Sequence, residues 1–315
     1  MQNEQQNSYQ QIEEDEIDLR ELWNVIWQGK WTIVAVTFFF AIASVTYAIL
    51  QPNQYKSEVL LAASSGESNK MGQMAGLAAM AGVNIGGGGG IDKSQLALAT
   101  LQSRQFLTAF INRHQLTVPV FAGTKWQLAS GELELDPDVY DVTAKKWLRE
   151  VEAPKKPEPS DWEKFKQFSP MLSVSEDKKS GLITISVEFL SPILTKQWLD
   201  WLVEDINKLY QEQDYKKASE NIAYLTEKLE QTAITDMQNV FFSLIEEQTK
   251  TKMLAKLDDE YVFKVIDPAV IPEEKSKPKR ALIAVVGTIT GGMLGIFLVF
   301  ILNFARNEEK GQEEK

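Results

Sequence analysis

Residues Trp31–Leu50 read WTIVAVTFFFAIASVTYAIL, twenty consecutive residues without a charge. At 1.5 Å of rise per residue, a helix of that length matches the roughly 30 Å hydrocarbon core of a bilayer. Near the other end, Ala281–Leu302 read ALIAVVGTITGGMLGIFLVFIL, again without a charge, with Lys279 and Arg280 before and Arg306 after. Both stretches are read as transmembrane helices. They divide the chain into a tail at 1–30, a first span at 31–50, a central domain at 51–280, a second span at 281–303 and a tail at 304–315. A cleavable signal peptide has a short apolar core close to the N-terminus, whereas about thirty polar or mixed residues precede this one. Trp23, Trp27 and Trp31 recur every fourth residue, which places three indoles on one helical face at the level of the headgroups.

Two spans put both termini on one side. The basic cluster Lys275, Lys277, Lys279 and Arg280 lies in the central region, against a simple positive-inside expectation. That expectation is strongest for short loops and the first helix, and around the first span Arg20 and Lys30 outnumber Lys56. The termini are therefore expected in the cytoplasm. In the second span Gly287, Gly291 and Gly295 fall every four residues on one face. Such a small-residue face lets helices approach closely, so it is expected to pack on the first span, a sister subunit or another membrane protein.

Composition narrows the chemistry. There are 33 Lys and Arg against 44 Asp and Glu, a net charge of −11, so the basic footprint of a nucleic-acid binder is missing. With no cysteine and a single histidine, His114, no thiolate or His-rich metal site, no cofactor site and no cysteine nucleophile is expected. Acidic runs such as Glu13-Glu14-Asp15-Glu16 read as solvated surface, and no catalytic residue is assigned.

In the central region Tyr55, Ser57, Val59 and Leu61 alternate with more polar neighbours, the signature of a strand. Gly181–Leu190 predicts a second strand, with Ile183, Ile185, Val187 and Phe189 on one face after the turn residues Asp177-Lys178-Lys179-Ser180-Gly181. Tyr261–Ile266 predicts a third, closed by Asp267-Pro268. From Ser191 to about Asp259 there is no glycine and no proline after Pro192, which predicts helix, with Ser191 as N-cap and Pro192 in the first turn. Apolar residues at three-and-four spacing run through Leu194, Trp198, Trp201, Leu202, Ile206 and Leu209. The series resumes at Ala218, Ile222, Leu225, Leu229, Ala233, Met237, Val240 and Leu244. A single helix over Ala218–Leu257 would reach roughly 60 Å and must project or pair. A further helix is predicted over Gln95–His114, with Leu101, Phe106, Leu107, Phe110 and Ile111 on its apolar side and His114 as a surface residue at its C-terminal dipole. Met71–Gly90, ending in five glycines, lacks the Gly-Lys-Ser/Thr of a phosphate loop and reads as a loop. Pro154, Pro157 and Pro159 mark an extended connection to Trp162. The fold class expected is α+β.

Several local sequences, in order, resemble the Wzz family of polysaccharide chain-length determinants (class 1 polysaccharide co-polymerases). They are Leu101-Gln102-Ser103-Arg104, Lys145-Lys146-Trp147, Pro159-Ser160-Asp161-Trp162-Glu163, Asp177 through Thr184, Ser191-Pro192 with Trp198, and Pro268, Pro272 and Pro278 leading to the second span. The resemblance implies a Gram-negative inner-membrane protein with a periplasmic α/β base, a long projecting helix and a ring-shaped homo-oligomer. It also implies partnership with the O-antigen polymerase (Wzy) and lipid-linked polysaccharide, and non-enzymatic control of lipopolysaccharide O-antigen length. Kinase relatives of the family carry an ATP-binding domain after the second span, which is not expected in a chain ending at Lys315. Enterobacterial common antigen, capsule or exopolysaccharide export, and a carboxylate-using glycan enzyme are the other readings.

Overall fold

The computed structural model describes residues 19–64, 93–231, 233 and 235–313. The chain forms two compact units, one of Met1–Gln51 with Pro278–Lys315 and one of Pro52–Lys277. The Gly-rich stretch Met71–Gly90 falls outside the described residues. The first unit begins with α1 (Leu19–Gln28) and α2 (Lys30–Leu50), which meet at Gly29. Trp23 and Trp27 stack at 6.4 Å and, like Trp31, are exposed.

In the second unit, β1 (Tyr55–Ala63) buries Tyr55, Ser57, Val59 and Leu61 on alternate positions, as its period of two requires. The chain then forms α3 (Lys93–Leu101), α4 (Arg104–Arg113) and α5 (Thr117–Ala122). Two small hairpins follow, β2 (Gly123–Gln127) with β3 (Glu132–Leu135) and β4 (Tyr140–Asp141) with β5 (Lys146–Trp147). After α6 (Asp161–Phe168) come β6 (Leu172–Glu176) and β7 (Leu182–Phe189), then α7 (Pro192–Glu230), α8 (Thr235–Leu257) and β8 (Phe263–Asp267). The main sheet has the order β6-β7-β1-β8 with antiparallel neighbours. Its register sets Tyr55 opposite Phe189 and Leu61 opposite Ile183, so both apolar sets face the same side. Trp198, Leu199, Leu202 and Ile206 of α7 cover them, with Leu107, Phe110 and Ile111 of α4 in the same core.

Local chemistry explains where elements start. Ser191 Oγ accepts from Leu194 N at 3.2 Å, and Pro192 occupies the first turn of α7. Gly181 has φ +68° in the turn before β7, a conformation glycine adopts without steric cost. In α6, only eight residues long, Glu163 N donates to Ser160 Oγ at 3.3 Å and Ser160 N to Glu163 Oε2 at 3.0 Å, a reciprocal capping box. Arg149 Nη2 donates to Glu163 Oε1 at 2.7 Å.

Four expectations change. The helix over Gln95–His114 is two helices, because Ser103 takes an extended conformation and caps α4 by accepting from Phe106 N. The single helix over Ala218–Leu257 is also two. α7 ends at Glu230, α8 begins at Thr235, and they pair antiparallel, with Asn221 Nδ2 donating to Gln248 Oε1 at 2.9 Å and Lys252 over the Tyr215 ring at 5.1 Å. The third strand begins at Phe263, leaving Tyr261 before it, where its hydroxyl donates to Asp214 Oδ2 at 2.8 Å. His114 is no surface residue. Its ring stacks on Trp201 at 4.3 Å and its Nε2 is hydrogen-bonded to Asp205 Oδ2 at 3.0 Å, while Arg113 pairs with the other carboxylate oxygen at 2.8 Å.

A buried amide fastens the returning chain to the base. Asn207 Oδ1 accepts from Val262 N at 2.8 Å and Phe263 N at 2.9 Å, and its Nδ2 donates to Phe263 O at 3.0 Å. The last element is α9 (Arg280–Glu313), which returns to the first unit. α2 and the Arg280–Asn303 part of α9 are each long and apolar enough to cross a membrane, and only 6% and 17% of their most apolar windows are buried. The interior of a soluble domain would bury most of such a helix.

Trp198 is fully buried between Phe168 and Phe189, its centroid 5.7 and 4.6 Å from theirs. Trp198→Ala is expected to cost about 3–5 kcal/mol, the scale for deleting a buried aromatic, measured by urea unfolding of the full chain in detergent. A loss below about 1 kcal/mol would remove Trp198 from the centre of the core. Ser160 N–H first, then Arg149, holds the Glu163 carboxyl below the ordinary glutamate range. A carboxylate with a depressed pKa contributes stability above its unfolded pKa and loses it as pH falls through the folded value. The stability gap between wild type and Glu163→Gln should therefore be largest near neutrality and shrink in acid. A gap independent of pH would contradict this origin.

Candidate functional site

Sequence arithmetic brings three glycines to one face of α9, and the structure supplies that face with a partner. α2 and α9 pack antiparallel, the pairing running from Gly29 with Val299 through Ile33 with Gly295 and Phe40 with Gly291 to Ser44 with Gly287. A Cβ built on Gly291 would sit 2.6 Å from Phe40 Cβ, and one on Gly295 3.0 Å from Ile33 Cα. At Gly287 it would collide with the Ser44 side chain, and at Gly29 with Val299. Glycine is thus required by close approach, the property on which small-residue helix packing depends. In the structure this face of α9 lies against α2. Gly29 is a fourth member that the hydropathy pattern missed. Its signal was its place four residues before Ile33, on the stripe continuing through Thr37.

The approach to α9 is fixed by the proline-rich stretch. Pro268 follows β8 directly and is exposed, Pro272 is half-buried and Pro278 is buried. Between them Ser57 Oγ donates to Val270 O at 2.7 Å, Ser276 N donates to Gln54 O at 2.8 Å, and Gln54 N to Lys277 O at 2.9 Å. Lys277 Nζ and Ser276 Oγ both reach the Glu188 carboxylate, the first at 2.6 Å. Prolines lack a backbone donor and favour extended conformations, so this segment runs beside the start of β1 without joining the sheet.

The α7–α8 hairpin is the second feature. Toward α8, α7 turns Ala218, Ile222, Leu225 and Leu229, and α8 answers with Phe241, Ile245, Gln248 and Ala255, none of them exposed. Met237, Val240 and Leu244, read from sequence as the continuation of the α7 stripe, lie one position off that seam and are 45, 52 and 39% exposed. Leu254, 43% exposed, shares their heptad register, with the polar Glu247 and Thr251 at the two positions between. A heptad stripe is the pattern a further helix would cover.

Residues 15–114 match the Wzz family, described as chain length determinant protein. Residues 234–304 match a domain described as a G-rich domain on putative tyrosine kinase. Among solved structures the chain is similar to a full-length bacterial polysaccharide co-polymerase, at 14% identity and a TM-score of 0.38, over 92% of this chain and 99% of that one. It is also similar to a fragment of WzzB, a polysaccharide co-polymerase from Salmonella Typhimurium, at 13% identity and a TM-score of 0.28, over 71% of this chain and all of that one. The comparison with curated proteins finds no match.

Because the chain has no native cysteine, the helix pairing can be tested without background. A Cβ built on Gly292 lies 3.7 Å from Thr37 Oγ1, within disulfide reach. Thr37→Cys with Gly292→Cys should close an intramolecular disulfide under mild oxidant in native membranes, read by mass and by loss of alkylation. Phe38→Cys with Met293→Cys, both on exposed faces, should not. Equal crosslinking of the two pairs would contradict this packing.

Proposed function

We propose that the chain is a chain length determinant of the Wzz kind and sets the modal length of O-antigen on lipopolysaccharide, as a non-enzymatic partner of the polymerase (Wzy). The observation that carries this reading is the match of residues 15–114 to the chain length determinant family. In the proposed topology α2 and α9 cross the inner membrane, residues 52–277 lie in the periplasm and both termini are cytoplasmic. The proline-rich segment with Pro268, Pro272 and Pro278 delivers the chain to the second span, and the Gly287, Gly291 and Gly295 face keeps the spans paired.

Assembly into a ring of identical subunits is supported by the exposed Met237, Val240 and Leu244 on α8, a short apolar stripe that a helix of a neighbouring subunit would cover. Such a ring would hold the lipid-linked glycan beside the polymerase and bias when extension stops. Nothing in this mechanism needs a bond to be made or broken by the protein itself.

A role as adaptor for capsule or exopolysaccharide export is the second reading. It is favoured by the match of residues 234–304 to a domain named for putative tyrosine kinases. Enterobacterial common antigen is the third possible glycan.

The test is a gel profile of surface lipopolysaccharide from a deletion strain, with and without the gene restored. A clustered ladder that becomes unregulated on deletion and returns on restoration is the expected result. Restoration with Gly291→Leu, whose side chain cannot fit against Phe40 and Thr37, should leave polymer present and its length altered. An unchanged ladder, with polymer of another kind trapped inside the cell, would replace the chain-length reading with export.

A further inference from the structure

Helix length alone does not fix where a bilayer would meet α2. The stretch from Trp31 to Leu50 and the stretch from Trp27 to Tyr47 each cover about 30 Å of helix, the thickness of the hydrocarbon core. Helical hydrogen bonds run through the junction of α1 and α2, since Gly29 N donates to Val25 O and Ile33 N to Gly29 O, each at 3.0 Å. The pairing with α9 separates the two placements. Gly29 lies against Val299 and Ser44 against Gly287. Along antiparallel helices Trp27 then comes level with Ile301 and Tyr47 with Ala284, whereas Trp31 comes level with Phe297 and Leu50 with Ala281.

A slab bounded by Trp31 and Leu50 leaves residues 298–302, five consecutive apolar residues, outside the hydrocarbon. Among them Leu298, Ile301 and Leu302 are exposed. It also sets Trp27 about 6 Å and Trp23 about 12 Å beyond the boundary, and a headgroup layer about 5–7 Å deep would leave Trp23 in water. A slab bounded by Trp27 and Tyr47 takes in residues 284–301 of α9, all uncharged, and brings Trp23 into the headgroup layer. Residues 48–50 and 281–283 then lie within about 4.5 Å of the other boundary, where Arg280 Nε donates to Ala48 O at 3.1 Å. The cost is Lys30, about 4.5 Å inside the first boundary. A lysine stem can carry its ammonium back to the interface, and Lys30 turns that way, with Nζ 4.8 Å from the centroid of the Trp27 ring.

We propose that Trp23 and Trp27 dock α1 into the headgroup layer of the bilayer, that the hydrocarbon on α2 runs from Trp27 to Tyr47, and that Lys30 snorkels onto Trp27 from within it. Trp27 and Tyr47, both exposed, are the two aromatic rims, and the stacked indoles set the depth at which the helix pair sits. This placement rests on α2 and α9 spanning the membrane and is independent of which glycan the protein regulates.

Because the chain has no native cysteine, single nitroxide labels on full-length protein in phosphatidylcholine–phosphatidylglycerol liposomes can be read for depth by collision with oxygen against a soluble nickel chelate. Leu298→Cys and Leu282→Cys, both at exposed positions, carry the labels. With rims at Trp27 and Tyr47, Leu298 lies about 4–5 Å inside its boundary and Leu282 about 3 Å outside its own, so the Leu298 label should be the deeper by about 7 Å. Equal depths, or the Leu282 label deeper, as rims at Trp31 and Leu50 require, would overturn the placement. Trp23→Ala with Trp27→Ala should let the pair slide until Trp31 takes the rim, moving the Leu298 label outward by about 6 Å. An unmoved label would overturn the anchoring role of the two indoles. A label on Phe38→Cys, exposed and near the middle of either slab, that met the nickel chelate freely would instead overturn the spanning premise, which keeps that failure separate.

Discussion

The chain that leaves the first apolar helix at Leu50 returns to the second at Arg280, and the backbone clasp of Gln54 with Ser276 and Lys277 closes that path. Everything in the central unit lies between those two points. The clasp continues directly into the β1–β7 ladder, since Tyr55 pairs with Phe189 and Lys56 with Glu188, and Glu188 also receives Lys277 and Ser276. One short stretch therefore fixes where the unit starts, where it ends and the register of its central strands. A one-residue slip in that register would turn Val59 and Leu61 away from Trp198 and Leu202.

From this base α7 runs outward. Its first half is spent on the sheet, burying Trp198, Leu199, Leu202, Ile206 and Tyr210, and its second half, from about Gln211, has α8 as its main partner. At 1.5 Å per residue the 39 residues of α7 are about 58 Å long. A two-helix arm of this kind has a large surface and little interior, which explains why its seam tolerates Asn221 and Gln248 and why apolar residues remain exposed along α8. Asn207 marks the root of the arm, because its side chain binds the backbone of the strand that follows α8.

Strands, caps and the two long apolar helices were legible because their signals are local. Alternation at Tyr55–Leu61 and Ile183–Phe189, capping at Ser191 and uninterrupted apolar runs each depend on a few neighbouring residues. The segments carrying the family resemblance are of the same kind. Ser103, Ser160 and Ser191 are N-caps and Asp177–Gly181 is a turn, so they punctuate the chain rather than form a chemical centre. The break between Glu230 and Thr235 was not legible, because no glycine or proline marks it and the pairing that stabilises it lies in long-range contacts. For the same reason Met237, Val240 and Leu244 were assigned to the wrong stripe, since period alone cannot tell which of two adjacent heptad faces meets the partner. The four-residue period of Gly287, Gly291 and Gly295 was legible in the sequence, while the surface that meets it stayed open among the first apolar helix, a sister subunit and another membrane protein. The short hairpins β2–β3 and β4–β5 gave no usable period.

In the proposed role the protein decides how long a glycan grows without making it. The most direct measurement is total polymerised glycan and its length distribution, recorded together while expression of the chain is titrated in a strain lacking it. The account predicts that the distribution condenses around a mode as expression rises while the amount of polymerised repeat unit stays constant. An amount of polymer that follows expression, with lengths unchanged, would contradict it.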